Sequence, residues 1–474
     1  MGKYRIPYLE GMDETLGVVA GNAAAARVAR NVSTDHGELR SAAGLGEYIE
    51  TPVPSNAGTV ESLYVFCEMD DEERTEYIIV GTDSKVLVWK GGQWKTLFTG
   101  TAGGWGFLSY KTEDDTVLIF GNGVDNVQVW DGESSASSDL TGVPAKGRYF
   151  ALHYERVWMC GDSENPDRLY YSRMLNPSNW TGDATTPEIG GGFVDLPTFD
   201  GGVITNLYSV GGDLCILKST TALLLYGTSP ENYQVTEMNG GLGTIAGRTA
   251  SVFGQTGYFL TAQGIGVQSG TSIALLDDRK LPRLFDATFD TDTGEGLSPY
   301  FGGCATGICF GQRLWFSLPQ GTATENTAVL EYDLMRETYV LHDDKKVLCF
   351  ARSGQMKEKL LALCDDRMVR VYGEGYSSGA QWTTPYFDFG TNEEKVLCGF
   401  ELYGEMHRES GIPSVTVTVE SDRGRKVRRL SGKNGQEKLF RRAFRLGGRR
   451  FRVDIQGESG TSFCFTGGIT LETE

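Results

Sequence analysis

The sequence predicts an all-β chain: a β-propeller of about seven blades, an extended N-terminal arm before it and a β-sandwich after it. Three observations carry that expectation. Tyr77-Ile78-Ile79-Val80-Gly81, Val117-Leu118-Ile119-Phe120-Gly121 and Val157-Trp158-Met159-Cys160-Gly161 are apolar runs closed by glycines 40 residues apart. The first two continue alike, as Val86-Leu87-Val88-Trp89-Lys90-Gly91 and Val127-Gln128-Val129-Trp130-Asp131-Gly132. The chain also holds 63 glycines in 474 residues and few long apolar-periodic stretches, which suits a turn-rich β protein. A period of about 40 residues with several strands per unit marks a propeller blade, which cannot bury its two faces alone and stacks on its neighbours.

Residues 1–56 lack this rhythm and read as an arm packing along the ring or a neighbouring subunit. Within them Ala23-Ala24-Ala25-Ala26-Arg27-Val28-Ala29-Arg30 has the composition of a short helix, and Thr51-Pro52-Val53-Pro54-Ser55 that of an extended connector. Residues 57–379 carry the propeller. After the three regular units come strand pairs at 213–217 with 222–227, 257–260 with 264–267, 313–318 with 328–333, and 359–364 with 368–373. An insertion is expected over 286–299. That makes seven units, with six or eight still open. Residues 380–474 change rhythm. Tyr386–Phe389, Val396–Tyr403, Val415–Glu420, Phe451–Ile455, and Phe463–Phe465 with Ile469–Leu471 read as the strands of a small β-sandwich, and Val415–Glu420 alternates as a half-buried strand should.

Net charge is −18, which argues against general nucleic-acid binding, because an acidic surface repels phosphate. The nine cysteines are scattered, mostly inside apolar strands, with no CxxC. They read as free thiols in a reducing compartment. The four histidines are isolated in sequence, so no zinc set is expected. The N-terminus lacks the apolar core of a signal peptide, and no stretch approaches a membrane span.

The order of arm, loosely similar blades and terminal β-sandwich resembles the tail nozzle (tail hub, or packaged-DNA stabilisation) proteins of short-tailed bacteriophages. Arg168-Leu169-Tyr170-Tyr171-Ser172 followed by Asn176-Pro177-Ser178-Asn179-Trp180 is similar to a blade ending common in phage propellers. Asn31 to Gly44, with Gly37-Glu38-Leu39-Arg40-Ser41, resembles the family's opening segment. Thr384-Pro385-Tyr386-Phe387, and Arg441 to Ile455 with the closing strands, resemble its C-terminal domain. The resemblance covers nearly the whole chain through architecture and diffuse patterns, without an invariant motif. It implies a hexameric ring in the virion tail, made in the host bacterial cytoplasm. That ring would sit below portal and adaptor proteins and carry tail fibres or a needle. It would conduct genomic DNA outward without sequence-specific binding and hold it in until infection. It implies no catalytic residues and no cofactor.

The sharpest compositional anomaly is basic. Between Arg423 and Arg452 lie thirteen Lys/Arg and one acid, Glu437, so this segment carries +12 and the remainder −30. Arg428, Arg429, Arg441, Arg442, Arg445, Arg449 and Arg450 are the candidate contact strip. It reads as a dock for an acidic face of the next subunit or adaptor, or as a phosphate-tracking patch. The blander reading is a solvated strand face. Phe440, Phe444 and Phe451 fit core-facing positions, so no base-stacking platform is implied. An acidic remainder fits a bore along which DNA slides without being gripped; ordinary solubility charge would give the same count.

Other features are weaker. Asp70-Asp71-Glu72-Glu73 reads as a solvated turn. Asp286, Asp290, Asp292 and Gly294 echo a calcium loop, but Phe301 stands where the closing Glu belongs, so loop charge is preferred and no metal is expected. Gly190-Gly191-Gly192 and Gly240-Gly241-Leu242-Gly243 read as loop punctuation. Sialidase boxes, a repeated WD signature, GxSxG, HExxH and a P-loop are all missing, so no enzyme is expected. The rival from another class is a glycan-binding or carbohydrate-active propeller, with aromatics and carboxylates converging on one face.

Overall fold

The forty-residue glycine period falls at the ends of the second strands of the first three four-stranded meanders, and successive meanders begin 41 to 55 residues apart. A computed structural model of the chain describes residues 2–6, 10–14, 24–70, 73–112, 115–196, 202–276, 280–285, 296–354 and 357–474. Antiparallel meanders occupy 60–99, 106–139, 149–195, 204–237 and 251–275, here the first to fifth sheets. The sixth, 306–342, has the same four-strand order but runs on into a nine-stranded sheet. The seventh takes three strands from 347–376, and Ala43–Glu47 supplies its fourth. The apolar runs read from the sequence are central strands of these sheets.

Those runs are continuous rather than alternating because each serves two interfaces. In the first sheet, Ile78 and Val80 pack with Leu361 and Leu363 of the seventh, while Tyr77 and Ile79 pack with Leu118 and Phe120 of the second. In the second, Ile119 faces Val157 and Met159 of the third. The third and fourth share a core through Trp158 and Ile216, and the fourth and fifth through Cys215 and Phe259. Leu260 of the fifth joins Phe316 of the sixth, and Trp315 of the sixth joins Phe350 of the seventh. A strand buried on both faces reads as an unbroken hydrophobic run. With the seventh sheet packed on the first, the stack closes into a ring: a β-propeller.

Residues 1–56, expected as an extended arm, contribute strands to three sheets of their own chain. Gly2–Ile6 pairs antiparallel with Thr461–Thr473, and Glu38–Ser41 also pairs with that strand. Val28–Arg30 pairs antiparallel with Gln381–Thr383 on one side and bridges Leu341 of the sixth sheet on the other. The alanine-rich segment is therefore not a helix in its described part. Residues 24–27 form turns and a bridge, and the strand begins at Val28. Backbone pairing on both sides overrides the helix propensity of alanine.

The C-terminal residues form two sheets over one core. Lys395–Arg408 lies between Lys438–Gly448 and Thr461–Thr473, while Ser414–Ser421 lies between Gly424–Ser431 and Phe451–Gly457. Val417, Val453 and Ile455 of one sheet share a cluster with Phe400, Phe440, Phe465 and Leu471 of the other. Two expectations shift in detail. Phe463–Phe465 and Ile469–Leu471 belong to one long strand, and Tyr386–Phe389 contributes a bridge from Phe387 to Phe451 in place of a strand. Residues 286–295 of the expected insertion lie outside the described residues, and with them the calcium-like cluster; so do Asp71 and Glu72.

Among the described residues the α-helices are single turns, Pro282–Phe285 and Phe301–Cys304. None is long and apolar enough to cross a membrane. All nine cysteines are free, five of them buried.

Candidate functional site

The basic segment folds into the two free edges of the C-terminal sheets. Gly424–Ser431 is the last strand of one sheet and Lys438–Gly448 the last strand of the other. The segment thus lines the open side of the two-layer unit. Phe440, Phe444 and Phe451 are buried, as strand alternation requires. An unpaired strand edge invites pairing with other chains, and inward-pointing charge is one way proteins block it. Opposite the buried Val417 and Val419 stand Arg428 and Lys426, on the core-facing side of their strand. Arg428 spans the gap: its Nε and Nη2 donate to the Ala443 carbonyl oxygen at 3.3 and 3.2 Å, and its guanidinium sits 5.9 Å from the Phe444 ring.

Five of the thirteen basic residues are ion-paired within the chain, to acids that lie outside the segment in sequence. Arg441 and Lys3 flank Glu401 and Glu472, giving a row of cation, acid, acid, cation across four adjacent strands. Lys3 Nζ lies 3.1 Å from Glu401 and 3.7 Å from Glu472, and Arg441 reaches both acids. Arg429 pairs with Glu458 at 2.6 Å and Arg445 with Glu474 at 3.0 Å. Arg423 pairs with Glu394, and Arg452 with Glu420. Burial pushes the Glu420 carboxyl up, but Arg452 outweighs it and holds the group below its ordinary range.

The candidate strip therefore divides. Arg441, Arg445 and Arg429 are neutralised in place. Arg428 closes the edge, and Arg442 donates to the Arg441 carbonyl at 2.9 Å. Arg449 and Arg450, exposed in the turn between the two sheets, have no ion-pair partner among the described residues. What remains for an outside partner is narrower than the sequence count of +12.

A second concentration of charge, at the N-terminal arm, was not legible in sequence. Arg313 of the sixth sheet contacts Asp35 at 2.5 Å and Glu331 at 2.6 Å. Glu331 accepts from the buried His342 ring at 2.8 Å, and Lys345 Nζ lies 3.4 Å from His342 Nδ1 and 2.5 Å from the Ser377 hydroxyl. Burial pushes both carboxyls up. Arg313 beside Asp35, and the His342 ring with Arg313 beside Glu331, outweigh it and hold both below their ordinary values. Burial, with Lys345 nearby, pushes His342 down. The network fastens residues 33–43 to the ring.

A third site lies at the mouth of the propeller axis, where residues leading into the first strands of six sheets surround a cavity of about 560 Å³. Arg248, just before the fifth sheet, donates Nη2 to the Glu61 carbonyl of the first sheet at 2.7 Å, so its side chain reaches across this mouth. Arg148, just before the third, lines the same cavity. Arg148 directly precedes the strand that starts at Tyr149, and Arg248 lies in the 3-10 turn Gly247–Thr249 ahead of the strand that starts at Ser251; placement in a lead-in to a first strand is the sequence signal they share.

No protein-family model matches the chain, and no curated protein does. Among solved structures, the chain is similar to the crystal structure of Saccharomyces cerevisiae Sqt1 at 13% identity and a TM-score of 0.36, over 63% of this chain and 81% of that one.

Proposed function

We propose that this protein is a structural subunit of a short phage tail, forming a nozzle or hub ring that conducts DNA outward and helps retain it. The observation that carries the reading is the order of parts along one chain and the way they are bound together. An N-terminal segment is stitched to a propeller and to a C-terminal two-sheet unit, which suits a rigid wall element. In this reading the four-stranded meanders are seven blades, the C-terminal sheets are a β-sandwich, and residues 1–56, 57–379 and 380–474 are the three parts.

The ring is a hexamer by family resemblance, seated against portal and adaptor proteins and tail fibres or a needle in the virion tail. Its subunits are made in the host bacterial cytoplasm, and no catalytic residue or cofactor is assigned. Outside the basic segment the chain carries −30, and an acidic channel wall repels phosphate so that DNA slides past it. Within the candidate strip, Arg449 and Arg450 are the exposed cations whose side chains have no partner among the described residues, and they meet an acidic face of a neighbour.

Immunogold electron microscopy with an antibody to this chain, on phage particles from the source, tests the reading. Label at a single tail vertex is expected, and particles without the protein would overturn it. One observation favours the second reading, a glycan-binding propeller: Glu61, Glu325 and Asp365 converge on the axial cavity, although no aromatic side chain lines it. An array of neutral glycans separates the two.

A further inference from the structure

Three guanidinium groups line the axial mouth without an ion-pair partner among the described residues; Arg367 spends its donors on the Val53, Pro54 and Gly58 carbonyls, which leaves Arg148 and Arg248. Arg148 and Arg248 are both partly buried and line one cavity of about 560 Å³, within the size range of small-molecule sites. Both act on the same neighbour: burial pushes the Tyr149 hydroxyl up, and Arg148 and Arg248 each work against it. Arg148 rests 5.4 Å from the Tyr149 ring centroid and against Gly104, where an added Cβ would stand 2.7 Å from its Nη2. Arg248 is braced by the Glu61 carbonyl.

Three carboxylates line the same cavity, yet none comes within ion-pair distance of either arginine. Glu61 accepts the Gly104 N–H at 2.9 Å, Asp365 faces Lys346 at 3.7 Å, and Glu325 is exposed. A partly buried guanidinium keeps most of its donors for a planar anionic partner, and pairing it with one is stronger than a neutral contact.

From this arrangement we infer that the axial cavity binds a small organic anion of about monosaccharide size. Its carboxylate or phosphate lies between Arg148 and Arg248, and its hydroxyl groups face Glu325 and Asp365. Guanidinium groups recognise the anionic end, and carboxylates accept hydrogen bonds from hydroxyls. The site stands apart from the ring reading, and neither depends on the other.

The test is calorimetric titration of the full chain at fixed ionic strength with glucuronate, glucose 6-phosphate and glucose. Saturable binding of at least one of the two anions is expected, with no binding of glucose. Which anion binds separates a carboxylate from a phosphate ligand. Arg148→Gln, which removes no protein hydrogen bond, is expected to weaken binding at least tenfold. Arg248→Lys, which keeps the charge but not the fork, is expected to weaken it less, and Lys95→Gln, on the exposed edge strand of the first sheet, to leave it unchanged. Absence of saturable anion binding would overturn the proposal. So would glucose binding as well as the anions, or equal losses from the axial and edge variants.

Discussion

Arg156 is fully buried, and no carboxylate among the described residues pairs with its guanidinium. Nη1 donates to the carbonyls of Ser172 at 2.8 Å, Ile189 at 3.2 Å and Gly190 at 2.6 Å, and Nη2 to Glu188 at 2.6 Å. One side chain thus replaces the regular pairing that the 187–190 turn lacks. Hydrogen bonds from a charged donor are worth about 1.5–3 kcal/mol each, and orphaned carbonyls add a desolvation cost. Arg156→Met is therefore expected to lower stability by about 3 kcal/mol or more, read from the midpoint of urea denaturation. The glycine period, by contrast, was legible, and its physical reason is contact. A Cβ on Gly81 would stand 2.8 Å from the Trp105 ring that leads into the second sheet. One on Gly121 would stand 2.4 Å from the Gly147 carbonyl, at the approach to the third. Gly81 and Gly121 let the end of a second strand meet the start of the next repeat, whereas Gly161, at φ +88°, packs against Arg148 and Tyr149 at the start of its own sheet.

The central strands of the sheets could be read because two buried faces demand a solid apolar run. The strand that completes the seventh sheet could not. Ala43-Gly44-Leu45-Gly46-Glu47 has no strand-like composition, and its partner at 370–376 lies more than 300 residues away. A glycine-rich strand suits this place, since a Cβ on Gly44 would meet the Glu374 carbonyl at 2.8 Å. The segment just before this strand depends on charge, so its attachment should depend on pH. Asp35 and Glu331 sit below their ordinary values of 3.8 and 4.5, and His342 below 6.5. All three are depressed in the folded state. Their stabilising contribution is present at neutral pH, begins to fall below pH 6.5 as the unfolded histidine takes up a proton, and is lost through the carboxylate range. After correction for the pH dependence of intrinsic exchange, amide protection at Ala43–Glu47 is expected to fall more than in the second to fourth sheets between pH 7 and pH 4. An equal fall in protection everywhere would show that the clamp does not govern this strand.

The basic segment was visible in sequence as a charge count, but its neutralisation was not, because the acids come from residues 394, 401, 420, 458, 472 and 474. This separates two classes of variant. Arg449→Glu/Arg450→Glu is expected to leave the melting temperature unchanged and to abolish self-assembly, as read by sedimentation velocity. Arg441→Glu places a third acid beside Glu401 and Glu472 and is expected to lower the melting temperature. If the Arg449→Glu/Arg450→Glu protein assembles like the parent, the edge is not the contact between subunits.

The sixth meander and one C-terminal sheet are a single sheet of nine strands, and Val28–Arg30 is its narrowest section. That strand has three residues. It is held by three antiparallel pairs on one side and by one bridge on the other, with Asn31 fastened to Leu341 and Asp343 just beyond it. A tensile load that draws the C-terminal sheets away from the ring concentrates on these few bonds. Once they yield, residues 32–47 still tie the two bodies together, because they are sewn into the long closing strand on one side and the seventh sheet on the other. The joint behaves as a mechanical fuse with a tether behind it: stiff at small extension, and able to part without releasing the halves.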